Sequence, residues 1–151
     1  MFALIRSRVR WMDEVGIRQW NTTDYETCYP LSYYEDHRRK GEVFVLADRE
    51  SGDILSAAVL KREDDRWSAE QNRDSAVYLH NFASRIGSKT GTFFLQLAED
   101  YAAAEGYTWF RLDSADDNET LERYYAERGY LPAGTCVDGL YRGILRQKKL
   151  K

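Results

Sequence analysis

The chain is poor in the residues that impose special architectures. Its two cysteines, Cys28 and Cys136, lie far apart and show no metal-ligand spacing, so neither a metal site nor a disulfide framework is implied and reduced thiols in a cytoplasmic protein are expected. No apolar run approaches the roughly 18 residues of a membrane-spanning helix, and the opening MFALIRSRVRW has no signal-peptide core. No membrane partner is therefore expected, and the sequons at Asn21 and Asn118 carry no meaning without secretion. Neither sign of charge dominates: Lys and Arg number 22 against 25 Asp and Glu, a net charge of -3 that leaves no electrostatic footprint for nucleic acid. The basic ending RQKKLK reads as a solvated terminus. With two prolines, no repeat, no linker and no low-complexity tract, residues 1–151 are expected to form a single domain.

What is present is a chain 43% hydrophobic, 31% charged and 14% aromatic, a composition for compact folding. Leu4, Ile5, Val9, Met12 and Val15 recur at helical spacing among arginines, which predicts an amphipathic helix over 3–19. Residues 30–40 suit a second helix, with Pro30 in its first turn, Arg38, Arg39 and Lys40 near its C-terminus and Gly41 as the stop. The apolar runs 43–48 and 54–61 flank the turn RESGD and read as an antiparallel hairpin. A polar stretch leads to a third strand, 76–84, whose alternation points Tyr78, His80 and Phe82 one way and Val77, Leu79 and Asn81 the other. A helix over 92–105 ending at Gly106 and a strand over 107–114 complete a βαβ crossover, which requires parallel pairing. A last helix opens at Asp117 or Asn118 and closes at Gly129, before a final antiparallel pair.

Two constellations carry chemistry. The turn after 76–84 brings Gly87, Ser88, Lys89, Thr90 and Gly91 to a helix start, where unpaired backbone amides, two hydroxyls and a cation can meet a pyrophosphate. An ordinary strand-to-helix turn needing glycine explains the same residues. A P-loop fails on spacing, because its glycines would fall at Ala83 and Ser88. In the last helix Asn118, Leu121 and Tyr125 share one face. A cap and a packed tyrosine are commonplace by themselves, but the full spacing N-x-x-L-x-x-x-Y-x-x-x-G-[FY] is uncommon.

On NETLERYYAERGY, and on the order of elements from about 43 to 147, the chain resembles the GNAT-superfamily N-acetyltransferases. The opening helix with GIRQW is similar to that of small bacterial members. The resemblance implies an α/β fold with a mixed, mostly antiparallel sheet splayed between parallel strands 76–84 and 107–114, helices on both faces, and acetyl-CoA as co-substrate. It implies that Phe82, Ala83 and Ser84 offer main-chain hydrogen bonds to pantetheine, and that Gly87, Ser88, Lys89, Thr90, Gly91 and Thr92 hold the pyrophosphate. It further implies that Asn118 contacts the cofactor arm and that Tyr125 protonates the departing thiolate. Two departures stand out. Where the family's phosphate loop reads [QR]-x-x-G-x-[GA], this chain has Ile86 and Lys89 in place of the Gln or Arg and the first glycine, in a loop about three residues shorter. Lys89 then replaces lost amide contacts with a charge, or Gly87 takes over by a shifted turn. The family's first strand is also not found before the opening helix, which leaves a sheet edge open to a homodimer.

Acetylating an amine requires a group that takes a proton. His80 on the third strand is the first candidate, a structural strand histidine being its alternative. Glu63, Asp64 and Asp65 either attract a cationic amine or, as a charge run in a turn, form a solvated surface, the better reading; Asp113 is a third candidate or a cap. The expected function is direct acetyl transfer from acetyl-CoA to an amine, a small molecule or a peptide N-terminus. A non-catalytic acyl-CoA-binding module on the same fold is the rival. Trp11, Trp20, Tyr29, Tyr33 and Tyr34 line an acceptor pocket or form a core.

Overall fold

The computed structural model describes residues 1–151 and contains six strands in one mixed sheet, ordered β1-β2-β3-β4-β6-β5. The strands are β1 (Val43–Ala47), β2 (Ile54–Lys61), β3 (Ala76–Ser84), β4 (Trp109–Ala115), β5 (Leu131–Asp138) and β6 (Tyr141–Lys149). The helices are α1 (Phe2–Val15), α2 (Tyr25–Cys28), α3 (Leu31–Arg39), α4 (Gly91–Ala104) and α5 (Glu119–Ala126). Only β3 and β4 run parallel, with Ala76, Val77 and Tyr78 opposite Trp109, Phe110 and Arg111, as the crossover through α4 demands. No helix is long and apolar enough to cross a membrane.

The chain divides into two compact units, Met1–Leu60 with Asn81–Ala98, and Lys61–His80 with Glu99–Lys151. In the first, the apolar stripe of α1 buries Leu4, Ile5 and Met12, and Gly16 ends the helix in the left-handed conformation. Leu4 and Ile5 pack with Tyr25, Tyr34, Ala57, Val59 and Ala83. Full burial of an aliphatic side chain such as Ile5 contributes about 2 kcal/mol. The β1–β2 hairpin pairs Val43 with Val59, and Asp48 accepts hydrogen bonds from the amides of Glu50 and Ser51 across its turn. Trp20, Tyr25, Tyr29, Tyr33 and Tyr34 form a chain of ring contacts with centroids 4.5–5.1 Å apart, so these aromatics are mutually packed. Neither α2 nor the 3₁₀ turn Trp20–Thr22 is long enough to show periodicity, which is why the sequence does not announce them.

The second unit is built on β4, β5 and β6, with Trp67, Ala76, Tyr78, Cys136 and Leu145 in its core. Cross-strand partners share a sheet face, so the register separates Phe110, Leu112 and Ser114 with Lys148, Arg146 and Ile144 on one face from Arg111 and Asp113 with Gln147 and Leu145 on the other. The ending RQKKLK is not a solvated terminus. Residues 146–149 complete β6, with Arg146 buried, Gln147 accepting from Arg111 Nε at 3.2 Å, and Lys148 paired with Glu99 at 2.5 Å. A run of basic and polar residues on an internal strand looks like a polar tail when register is unknown.

Candidate functional site

Phe82, Ala83, Ser84, Gly87, Ser88, Lys89, Thr90, Gly91 and Thr92 belong to the first unit, whereas His80, Asn118 and Tyr125 belong to the second. Within the first unit, β3 does not keep its alternation. Asn81 adopts φ 51, a left-handed kink that shifts the residues after it. Phe82 consequently stacks on Phe94 of α4 at 5.4 Å, in place of the expected continuation of the Tyr78–His80 side. Two phenols fix the kink: Asn81 Nδ2 donates to Tyr25 Oη at 2.5 Å, and Tyr33 Oη donates to Asn81 Oδ1 at 3.0 Å.

The loop that follows is held by hydroxyls. Ser56 Oγ lies 2.8 Å from Ser84 Oγ and 2.8 Å from Thr90 Oγ1, which is in turn 2.9 Å from Ser88 Oγ. The two hydroxyls expected at a pyrophosphate thus tie the loop to β2 and β3. What the loop presents is the first-turn amides of α4 and the exposed cation of Lys89. Gly87 has φ 80, a conformation that favours glycine, and a side-chain carbon at Gly91 would come within 3.1 Å of Ser84 Oγ, so the Ser84 hydroxyl would have to give way. Lys89 itself has φ 55. The residue standing at the family's glycine keeps the backbone conformation that favours glycine, at a cost of about 1–2 kcal/mol. Lys89→Gly is expected to stabilise the fold by about 1 kcal/mol net of glycine's own entropy, a rise of roughly 3 °C in thermal midpoint, and calorimetric melting checks it.

In the second unit α5 begins where the sequence places it. Asn118 is the N-cap, its Oδ1 accepting from the Leu121 amide at 2.9 Å. Tyr125 is buried and its ring meets those of Tyr124 and Tyr130 at 5.1 and 5.5 Å. Burial first, and then Tyr124 and Asp113, raise its phenol well above the ordinary tyrosine range, against the opposing charges of Arg146 and Arg128. Tyr125 is therefore a proton holder throughout the neutral range.

The turn residue Asp64 is not solvated: it is 4% exposed, while its neighbours Glu63 and Asp65 are exposed. Its Oδ1 accepts from the Arg66 amide, and its backbone carbonyl accepts from Asn72 Nδ2 and from the Trp67 amide. Its Oδ2 lies 3.0 Å from His80 Nε2. That approach lacks the in-line geometry of a hydrogen bond, and Nε2 has no other partner. Burial raises the Asp64 carboxyl, but His80, the Arg66 amide and the Arg66 charge outweigh it and push it down to about 2. Asp113 completes the cluster, its ligand atoms within 4.8 Å of those of Asp64 and His80. Asp113 is a strand residue and no cap; Arg66 and Tyr141 donate to its two oxygens at 3.0 and 2.6 Å.

No family model and no curated protein matches the chain. Solved structures do. An acetyltransferase of the GNAT family from Listeria monocytogenes 4b F2365 shares 24% identity, covering 98% of this chain and 86% of its own, with a TM-score of 0.78. The chain has the GNAT fold. The same GNAT fold relates it to Naa20 from Chaetomium thermophilum, solved in complex with a bisubstrate analogue, at 16% identity and TM-score 0.63 over 81% of this chain and 74% of that one. Ard1 from Thermoplasma volcanium follows at 13% identity and TM-score 0.62, over 80% and 79%. Within this GNAT fold, the sequence alone does not reveal that Asp64 faces His80, or that Arg146 is buried on the sheet face shared with Leu112.

Proposed function

We propose that this protein transfers the acetyl group of acetyl-CoA directly to an amine, either a small molecule or a peptide N-terminus. The observation that carries the reading is a protonated, buried phenol at Tyr125, on the asparagine-capped helix of a GNAT fold. Acetyl-CoA supplies an activated thioester. The chain supplies the rest: Lys89 and the α4 amides receive the pyrophosphate, the main chain of Phe82–Ser84 receives pantetheine, and Asn118 the cofactor arm. Tyr125 donates its O–H toward the departing sulfur. His80, with Asp64 against Nε2, offers its other ring nitrogen to the ammonium proton of the attacking amine, and Asp64 orients the ring.

Direct transfer is favoured over an acyl-cysteine route. Burial first, and then Asp113, push the Cys136 thiol up to about 11, which keeps it protonated and weakly nucleophilic at neutral pH. Calorimetry tests the reading: acetyl-CoA is expected to bind with a dissociation constant below about 1 mM, within the usual range for enzyme substrates, and an amine panel to release free thiol. Absence of binding at millimolar acetyl-CoA sinks the proposal, and binding without thiol release on any amine points to the acyl-CoA-binding module instead.

A further inference from the structure

The second unit contains two arginines that are each 1% exposed, on opposite faces of the sheet, and they are treated differently. Arg111 is saturated. It pairs with Asp74, donates to the Gln71 carbonyl at 2.6 Å, Tyr78 Oη at 3.1 Å and Gln147 Oε1 at 3.2 Å, and lies over the Trp67 ring. Arg146 has no carboxylate. Its Nε donates to Ser114 Oγ at 2.9 Å, and its Nη2, shut off from solvent, has no partner. A buried arginine is rare unless paired, and an unsatisfied buried cation is costly. A fold that satisfies one buried guanidinium four times over and leaves its neighbour open has left a place for an anion.

The position of Arg146 says which anion. It stands opposite Leu112, on the face that carries Phe110, and Phe110 meets the Tyr130 ring that in turn meets Tyr125. The neighbouring charges, on this face or off it, have partners of their own. Glu99 accepts from Tyr130 Oη at 2.6 Å and pairs with Lys148, and Arg128 lies 3.6 Å over the Tyr124 ring and donates to the Tyr124 carbonyl. Asp113 is held by Arg66 and Tyr141. Accepting the transferase reading, we infer that Arg146 is the counter-charge of the coenzyme A thiolate, holding the sulfur as it leaves alongside the Tyr125 hydroxyl.

In that step the amine nitrogen forms a bond to the acetyl carbon and the carbon–sulfur bond breaks. The bonding pair goes to sulfur, the ammonium proton goes to His80, and the thiolate takes its proton from Tyr125 or from water on release. Because burial raises the phenol, complete transfer from Tyr125 to a thiolate of ordinary basicity is uphill. A fixed cation beside the sulfur removes the need for it, as donors placed at a developing charge do elsewhere.

The experiment compares binding of coenzyme A with that of S-methyl-coenzyme A, which has no ionisable thiol, by calorimetry between pH 7 and 9.5. The protein's own titrations act on both ligands and cancel in the ratio. For the wild type the ratio is expected to shift toward coenzyme A by about tenfold as pH rises, the equivalent of a thiol favoured as its anion. Arg146→Met is expected to flatten the ratio, to leave S-methyl-coenzyme A affinity unchanged, and to lower turnover by about 10²-fold. Arg146→Lys is expected to keep part of the shift. A flat ratio in the wild type overturns the inference while leaving the transferase reading standing, and this arm holds even if Arg146→Met fails to fold. Equal weakening of both ligands in Arg146→Met or Arg146→Lys also overturns it, by placing the guanidinium at another anion or in structure alone. If neither ligand binds the wild type, both this inference and the transferase reading fall.

Discussion

Tyr125→Phe is expected to lower turnover by about 10²-fold while leaving acetyl-CoA affinity and the folded state intact, because one positioned hydrogen-bond donor at a developing charge supplies roughly that factor. The ring of Tyr125 is packed between those of Tyr124 and Tyr130, and phenylalanine preserves both contacts. The change is confined to one hydroxyl. Since burial raises the phenol, its loss of a proton does not contribute a basic limb to the pH–rate profile near neutrality, and the wild-type profile should stay level there as far as Tyr125 is concerned. Wild-type turnover in a folded Tyr125→Phe variant, verified by circular dichroism, removes the residue from the mechanism.

His80→Gln carries the other large effect, a fall in turnover of about 10²- to 10³-fold in a variant that still folds. Asp64→Asn should cost less. It keeps the shape of the side chain 3.0 Å from Nε2 but deletes the negative charge that faces the ring. The wild-type carboxyl is pushed down to about 2, and it therefore stays charged across the whole range in which enzyme rates are measured. The linkage has a definite sign: a depressed carboxyl stabilises the fold above its unfolded value near 4, and that stability is lost as pH falls from about 4 toward 2. If Asp64 is merely structural, Asp64→Asn lowers stability without lowering the turnover of the folded variant, and thermal melting measured alongside kcat separates the two roles.

The elements that were legible in sequence are those whose signal is local. The hairpin of β1 and β2 follows from Gly52 and a polar turn, the crossover from an apolar helix ending at Gly106, and α5 from an Asn cap and a closing glycine. The parallel pairing of β3 with β4 then follows from connectivity. What was not legible depends on partners distant in the chain. Asp64 sits in a run of acids that looks solvated, and only the approach of His80, sixteen positions on, buries it. Arg146 looks like part of a basic tail until β6 is set beside β4. The kink at Asn81 is invisible to a period-two reading, because one left-handed residue leaves composition unchanged and reverses the side on which Phe82 falls.

The kink also constrains how the chain can vary. A left-handed strand position admits Asn or Gly with little strain, but only Asn offers both a donor to the Tyr25 phenol and an acceptor for that of Tyr33. Replacing either tyrosine strands half of a buried amide, and replacing the asparagine takes a partner from two phenols at once. Asn81, Tyr25 and Tyr33 are thus bound to a shared evolutionary history: substitutions at the three positions are tolerated in concert and selected against singly, although Asn81 lies 56 residues from Tyr25 and 48 from Tyr33 in the chain.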